Sequence, residues 1–176
     1  VRKQVMGRIL EITLEFCTAW SNAQLAAGAD VIVLADGMAS AAVLTRQQFI
    51  DLALPIVKAI VPRIKGNVVH EGVGHLHPML DLLVDTGILG VILSHLDDIA
   101  VCRKIVGDKL ALIGNLNNIE MLRWSPEKMA QKSREIIKDN ASCTGLVLSA
   151  QGPEIPLGVG DEVIRAMVQA PRNWPC

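Results

Sequence analysis

Three stretches of this chain share one local design. AAGADVIVL at 26–34, VDTGILGVIL at 84–93 and DNASCTGLVL at 139–148 each end a helical pattern, make a short turn and enter an apolar run. A helix that repeatedly hands over to a strand in this way implies parallel strands with helical crossovers, because parallel neighbours cannot be joined by a tight hairpin. The spacing amounts to roughly 20 to 35 residues per unit, the length of a βα repeat.

The composition agrees with such a sheet. Apolar residues make up 51% of the 176 residues, yet aromatics are only 3% and Tyr is absent, so the core is built from Leu, Ile, Val and Ala. Buried parallel strands use that alphabet, and the length predicts one domain spanning residues 1–176. A net charge of −1 with no long basic block argues against a nucleic-acid or anionic-membrane partner. No signal-peptide pattern or bilayer-length apolar run is found, and a cytoplasmic location is expected. Cys17, Cys102, Cys143 and Cys176 are far apart with no CxxC pair, and are expected to be reduced thiols.

Periodicity sets the elements. Val5, Ile9, Ile12, Phe16, Ala19 and Ala23 recur at helical spacing through residues 3–27, and Gly28 supplies a stop. DVIVLAD at 30–36 is too short for a helix and is predicted as a strand. Thr45 is expected to cap a helix that Pro55 and Pro62 bend or break. NVVHE is the second strand; a helix over His77–Val84 precedes the third, LGVILS at 89–94. Asp97 or Asp98 caps the helix ending at Gly107, and KLALIGN at 109–115 is the fourth strand. Ser125, Pro126 and Glu127 open a long helix. TGLVLSA at 144–150 is the fifth strand, and GDEVIRAMVQA closes the chain as a helix. No GxGxxG follows a strand and no Walker A sequence occurs, which disfavours a dinucleotide fold. The fold expected is α/β, five parallel strands forming part of a TIM (β/α)8 barrel.

In such folds the chemistry gathers at the carboxyl ends of the strands. The five strands end in Asp36, in His70 and Glu71, in Ser94 and His95, in Asn115, and in Ser149 with Gln151. His70 and Glu71 suit either a borderline metal such as zinc or proton transfer. Neighbours on a strand face opposite ways, so both converge only if the strand has ended by Val69 or His70. His75 and His77 follow on the next loop or first helical turn, placed to complete a metal set, bond an anionic ligand or cap the helix. Glu154, between prolines, is a second rim acid.

The residues resemble a known family. AQLAAGADVIVLADGMAS, FIDLALPIVKAIV, VVH followed by HPMLDLLVDTGILGVIL, AVCRKIVGDKLALIGNLNNIEML, EIP and VIRAMV are similar to the carboxyl-terminal half of the uroporphyrinogen decarboxylase superfamily, especially its corrinoid-linked methyltransferase branch. The resemblance implies a TIM barrel of which this chain supplies about the last five strands, in keeping with a start at Val1 inside a helical pattern. It implies transfer of a methyl group between a small substrate and a corrinoid protein carrying cobalamin. His70, Glu71 and Asp36 would be catalytic; His95, Ser94, Asn115 and Gln151 would contact substrate; zinc would be held by His70, Glu71 and His75. The thiol-methylating members carry a His-x-Cys motif and a later Cys. Here His70 fits the first position, but Gly72 stands at the second and Pro153 near the third. Porphyrinogen decarboxylation is the alternative activity. A non-catalytic half-barrel is the other alternative, and association with itself or a complementing half-barrel is expected from its open edges.

Overall fold

The computed structural model describes residues 3–140, 144–152 and 154–174. Five parallel strands form one sheet in chain order: β1 (Val31–Ala35), β2 (Asn67–Glu71), β3 (Gly90–Ile92), β4 (Ala111–Leu116) and β5 (Leu146–Ala150). A parallel neighbour in every case requires a crossover, and helices supply it. α1 (Lys3–Ala26) leads into β1 through Gly28, whose φ of +105° only glycine adopts without strain. Thr45 forms a capping box with Gln48 at the start of α2 (Arg46–Gln48). A π turn at Phe49–Ala53 then leads into α3 (Leu54–Ile60), with Pro55 in its first turn and Pro62 in the 3-10 turn that ends it.

A 3-10 turn at His77–Met79 opens the short α4 (Leu80–Leu83). Of the two possible caps for α5 (Ile99–Val106), Asp98 takes the role by accepting the Val101 N–H at 2.9 Å. Ser125 caps α6 (Pro126–Asp139), and α7 (Asp161–Arg172) follows β5.

Register and burial define two faces. One row of the sheet contains Ile32 and Val68, with Leu34, Val91 and Leu112 in the neighbouring row. All five pack into the main core with Val57, Leu83 and Cys102 from the helices. The alternate row contains Val33, paired with Val69, while Ile113 pairs with Val147. Among the described residues no helix covers this side where Val33 is 49% and Val147 53% exposed. A second core cluster, with Leu116, Met129, Ala150 and Val163, joins β4 and β5 to the last two helices.

Cys17 and Cys102 are free thiols. Burial, with a smaller contribution from Asp97, pushes Cys102 up to about 12, so it remains protonated and acts as an apolar core residue. Cys143 and Cys176 lie outside the described residues. Among the described residues no helix is long and apolar enough to cross a membrane.

Candidate functional site

Strand β2 stays paired through its last residue: Glu71 lies opposite Ala35 on one side and Ile92 on the other. The pleat therefore sends His70 and Glu71 to opposite faces. Glu71 joins the row not covered by helices. There it lines a cavity of about 290 Å³ with Gly72, Ser94, His95, Asn118 and Gln151. Burial raises the Glu71 carboxyl above its ordinary value, which lets it hold a proton closer to neutrality.

Gln151 organises this cavity. Its Oε1 accepts from the His95 N–H at 2.9 Å and from Ser94 Oγ at 3.2 Å, and it also meets His95 Nδ1. Its Nε2 donates to Asn118 Oδ1 at 2.9 Å, which fixes the amide's orientation. An amide oxygen only accepts, so His95 Nδ1 is the donor in this contact. The loop after β5 thus sets the imidazole on the loop after β3.

His70 turns to the helix-covered side and is fully buried, with no hydrogen-bond partner on either ring nitrogen among the described residues. Burial lowers its pKa, opposed weakly by the charge of Asp36, so the ring is neutral near pH 7. Asp36 donates its backbone N–H to Glu71 O at 2.8 Å, but it borders an apolar cavity with Leu34, Met38 and Ala39 and does not line the Glu71 cavity. Asn115 donates both amide hydrogens to backbone, to Ser94 O at 2.8 Å and Asp97 O at 2.7 Å. It staples the loop after β3 and has no donor left for a ligand.

The expected metal set of His70, Glu71 and His75 does not assemble, because the continued pairing of β2 separates its first two members. Among the described residues, the group with metal-ligand spacing is His75, His77 and Asp97. Asp97 was legible only as one of two interchangeable helix caps, and Asn118 carried no signal beyond a loop amide. Both act through contacts made across loops.

The thiolate site implied by the family resemblance does not fit this chain. A Cβ added at Gly72 would lie 3.2 Å from Leu76 Cδ1 and 3.5 Å from Ala39 O, a crowded position with no sulfur. Pro153 lies outside the described residues.

Polar groups from three parallel strand ends, converging on one cavity, belong to an α/β protein with the architecture of a partial barrel. The profile of the uroporphyrinogen decarboxylase (URO-D) family matches residues 2–174, and the chain belongs to that family. It is 32% identical over 177 residues to a uroporphyrinogen decarboxylase of Nitrosococcus oceani, covering 95% of this chain and 47% of that protein. It is 25% identical over 169 residues to a methylated-thiol–coenzyme M methyltransferase of Methanosarcina mazei, covering 94% and 44%. A methylcobamide:CoM methyltransferase of Methanosarcina barkeri is 33% identical over 121 residues, covering 66% and 35%. The chain thus spans about half or less of the length of these relatives. A solved methyltransferase from Methanosarcina mazei superposes with a TM-score of 0.82 at 22% identity, over 92% of this chain and 47% of that one. The fold therefore matches half of a TIM-barrel methyltransferase.

Proposed function

We propose that this chain forms the catalytic-rim half of a barrel enzyme that moves a methyl group between a small substrate and a corrinoid protein. The observation that carries the reading is the placement of Glu71, its carboxyl raised by burial, in one cavity with Ser94, His95 and Gln151. When a methyl–heteroatom bond breaks, the heteroatom keeps the bonding electrons and needs a proton, which Glu71 is positioned to give. In the reverse direction Glu71 takes the proton from the acceptor. The His95 imidazole and the Gln151 amide orient the substrate, which brings the reacting bond into line. The corrinoid partner, docked at the open mouth, supplies or receives the methyl group. Family zinc–thiolate chemistry has no part here, since Gly72 offers no ligand.

The decarboxylase alternative draws support from the 32% identical relative. A porphyrinogen bears several carboxylates, which call for Arg or Lys partners. Among the described residues the cavity around Glu71 is lined by neither, and this favours methyl transfer.

The test uses the protein with its complete barrel, a methylated corrinoid protein and candidate small acceptors. Methyl transfer is expected, slowed about 10²-fold or more by Glu71→Gln through loss of general acid–base catalysis. Carbon dioxide release from uroporphyrinogen without any methyl transfer would reverse the assignment.

A further inference from the structure

We propose that His75, His77 and Asp97 form a binding site for a divalent transition-metal ion, with zinc the ion their chemistry fits, outside the Glu71 cavity and independent of its proposed reaction. Asp97 provides the fixed point. Its side chain is fully buried, and it accepts the N–H of Leu76 at 3.0 and 3.2 Å, of His77 at 2.9 Å and of Ser94 at 3.2 Å. These donors hold the carboxylate rigidly between the loop after β2 and the loop after β3.

Both imidazoles turn the same atom toward it. His75 Nδ1 lies 3.0 Å and His77 Nδ1 3.7 Å from Asp97 Oδ1. A tetrahedral ion with bonds of about 2.0–2.1 Å separates its ligands by about 3.3 Å, midway between those two distances. The rings meet edge to face, with centroids 5.1 Å apart and planes at 74°, and the ligand atoms of the three side chains lie within 4.8 Å of one another. The histidine side chains are 43% and 39% exposed, which leaves an entry path and room for water at the remaining position.

The electrostatics point the same way. Among the described residues, the basic side chains within 4 Å of this buried carboxylate are the two imidazoles, with no Lys or Arg. A buried anion held mainly by backbone N–H groups gains from a cation beside it. Two imidazoles and one carboxylate select zinc and its neighbours over magnesium or calcium, which prefer oxygen alone. Gly74, at φ +79°, permits the turn that brings His75 here, since a Cβ there would lie 2.9 Å from that of Ala42. The bound ion would pin together two loops that flank the Glu71 cavity.

The test is metal titration of the stripped 176-residue chain. Cobalt(II) serves as the spectroscopic probe and zinc as its competitor, with circular dichroism confirming that each variant folds. One equivalent is expected to bind near neutral pH, giving intense visible absorption of a tetrahedral cobalt site. His75→Ala and His77→Ala should each weaken binding about tenfold or more, whereas His70→Ala should leave it unchanged. Because both imidazoles are partly exposed, these variants should remain folded even if Asp97→Asn does not. The proposal is overturned if the folded chain takes up neither ion, if the double histidine variant binds as tightly as the parent, or if His70→Ala abolishes binding.

Discussion

His70 and Glu71 are consecutive residues of β2 that face opposite sides of the sheet, His70 beside Val91 of the covered core and Glu71 beside Ile92 of the uncovered face. Their environments shift the two groups in opposite directions, and the shifts have opposite consequences for stability. The pKa of His70 is depressed, so its contribution is present above about pH 6.5, the free-histidine value, and is lost as pH falls. The pKa of Glu71 is raised, so its contribution is complete below about pH 4.3 and is lost as pH rises through the folded value. Denaturant titrations across pH should show less loss below pH 6.5 in His70→Leu than in the parent. At pH 7 the same variant, which removes two unpartnered buried nitrogens, should be as stable as the parent or more stable by about 1 kcal/mol.

Gln151 should separate binding from folding. Gln151→Ala removes the acceptor shared by Ser94 and the His95 backbone and the donor to Asn118. In steady-state assays of the methyl transfer proposed for the complete barrel, KM should rise and kcat fall together, about tenfold or more in kcat/KM, as expected when a positioning group is lost. The unfolding midpoint should change little, because Gln151 is only partly buried.

Gly90 leaves no room for a side chain between β3 and β4. A Cβ at this position would lie 2.6 Å from the Ala111 carbonyl oxygen and 3.0 Å from its Cβ, and backbone in a paired sheet cannot withdraw cheaply. Gly90→Ala is expected to destabilise the chain by about 3 kcal/mol, the upper end for overpacking, as measured by urea unfolding.

Arg103 closes the far end of the sheet. Its guanidinium donates to Asn140 Oδ1 at 3.0 Å, Gly107 O at 2.6 Å, Leu110 O at 3.1 Å and Gly145 O at 2.7 Å. These acceptors come from the end of α5, the approach to β4, the end of α6 and the approach to β5. A lysine ammonium cannot span that fork. Arg103→Lys should therefore cost about 2 kcal/mol, with amide exchange at the start of β5 accelerating before that in β2.

The helix and strand pattern was legible because it depends on local spacing. Glycine stops, Thr45 and Ser125 as caps, and short β-branched runs recur where the chain changes element, and the five parallel strands follow from the crossovers these imply. The site was legible only in part. Strand-end polarity identified Glu71, Ser94, His95 and Gln151, which do line one cavity. It also grouped with them His70, Asp36 and Asn115, which do not line that cavity.

The sequence by itself determined the order of elements and the residues delivered to the strand ends, since both are set by neighbours along the chain. Tertiary structure alone decided which strand-end side chains share a cavity, which of Asp97 and Asp98 caps a helix, and which clamps the loop carrying His75 and His77. Those choices depend on hydrogen bonds between residues some twenty positions apart, such as Asp97 to Leu76 and Asn115 to Ser94. No local periodicity encodes them.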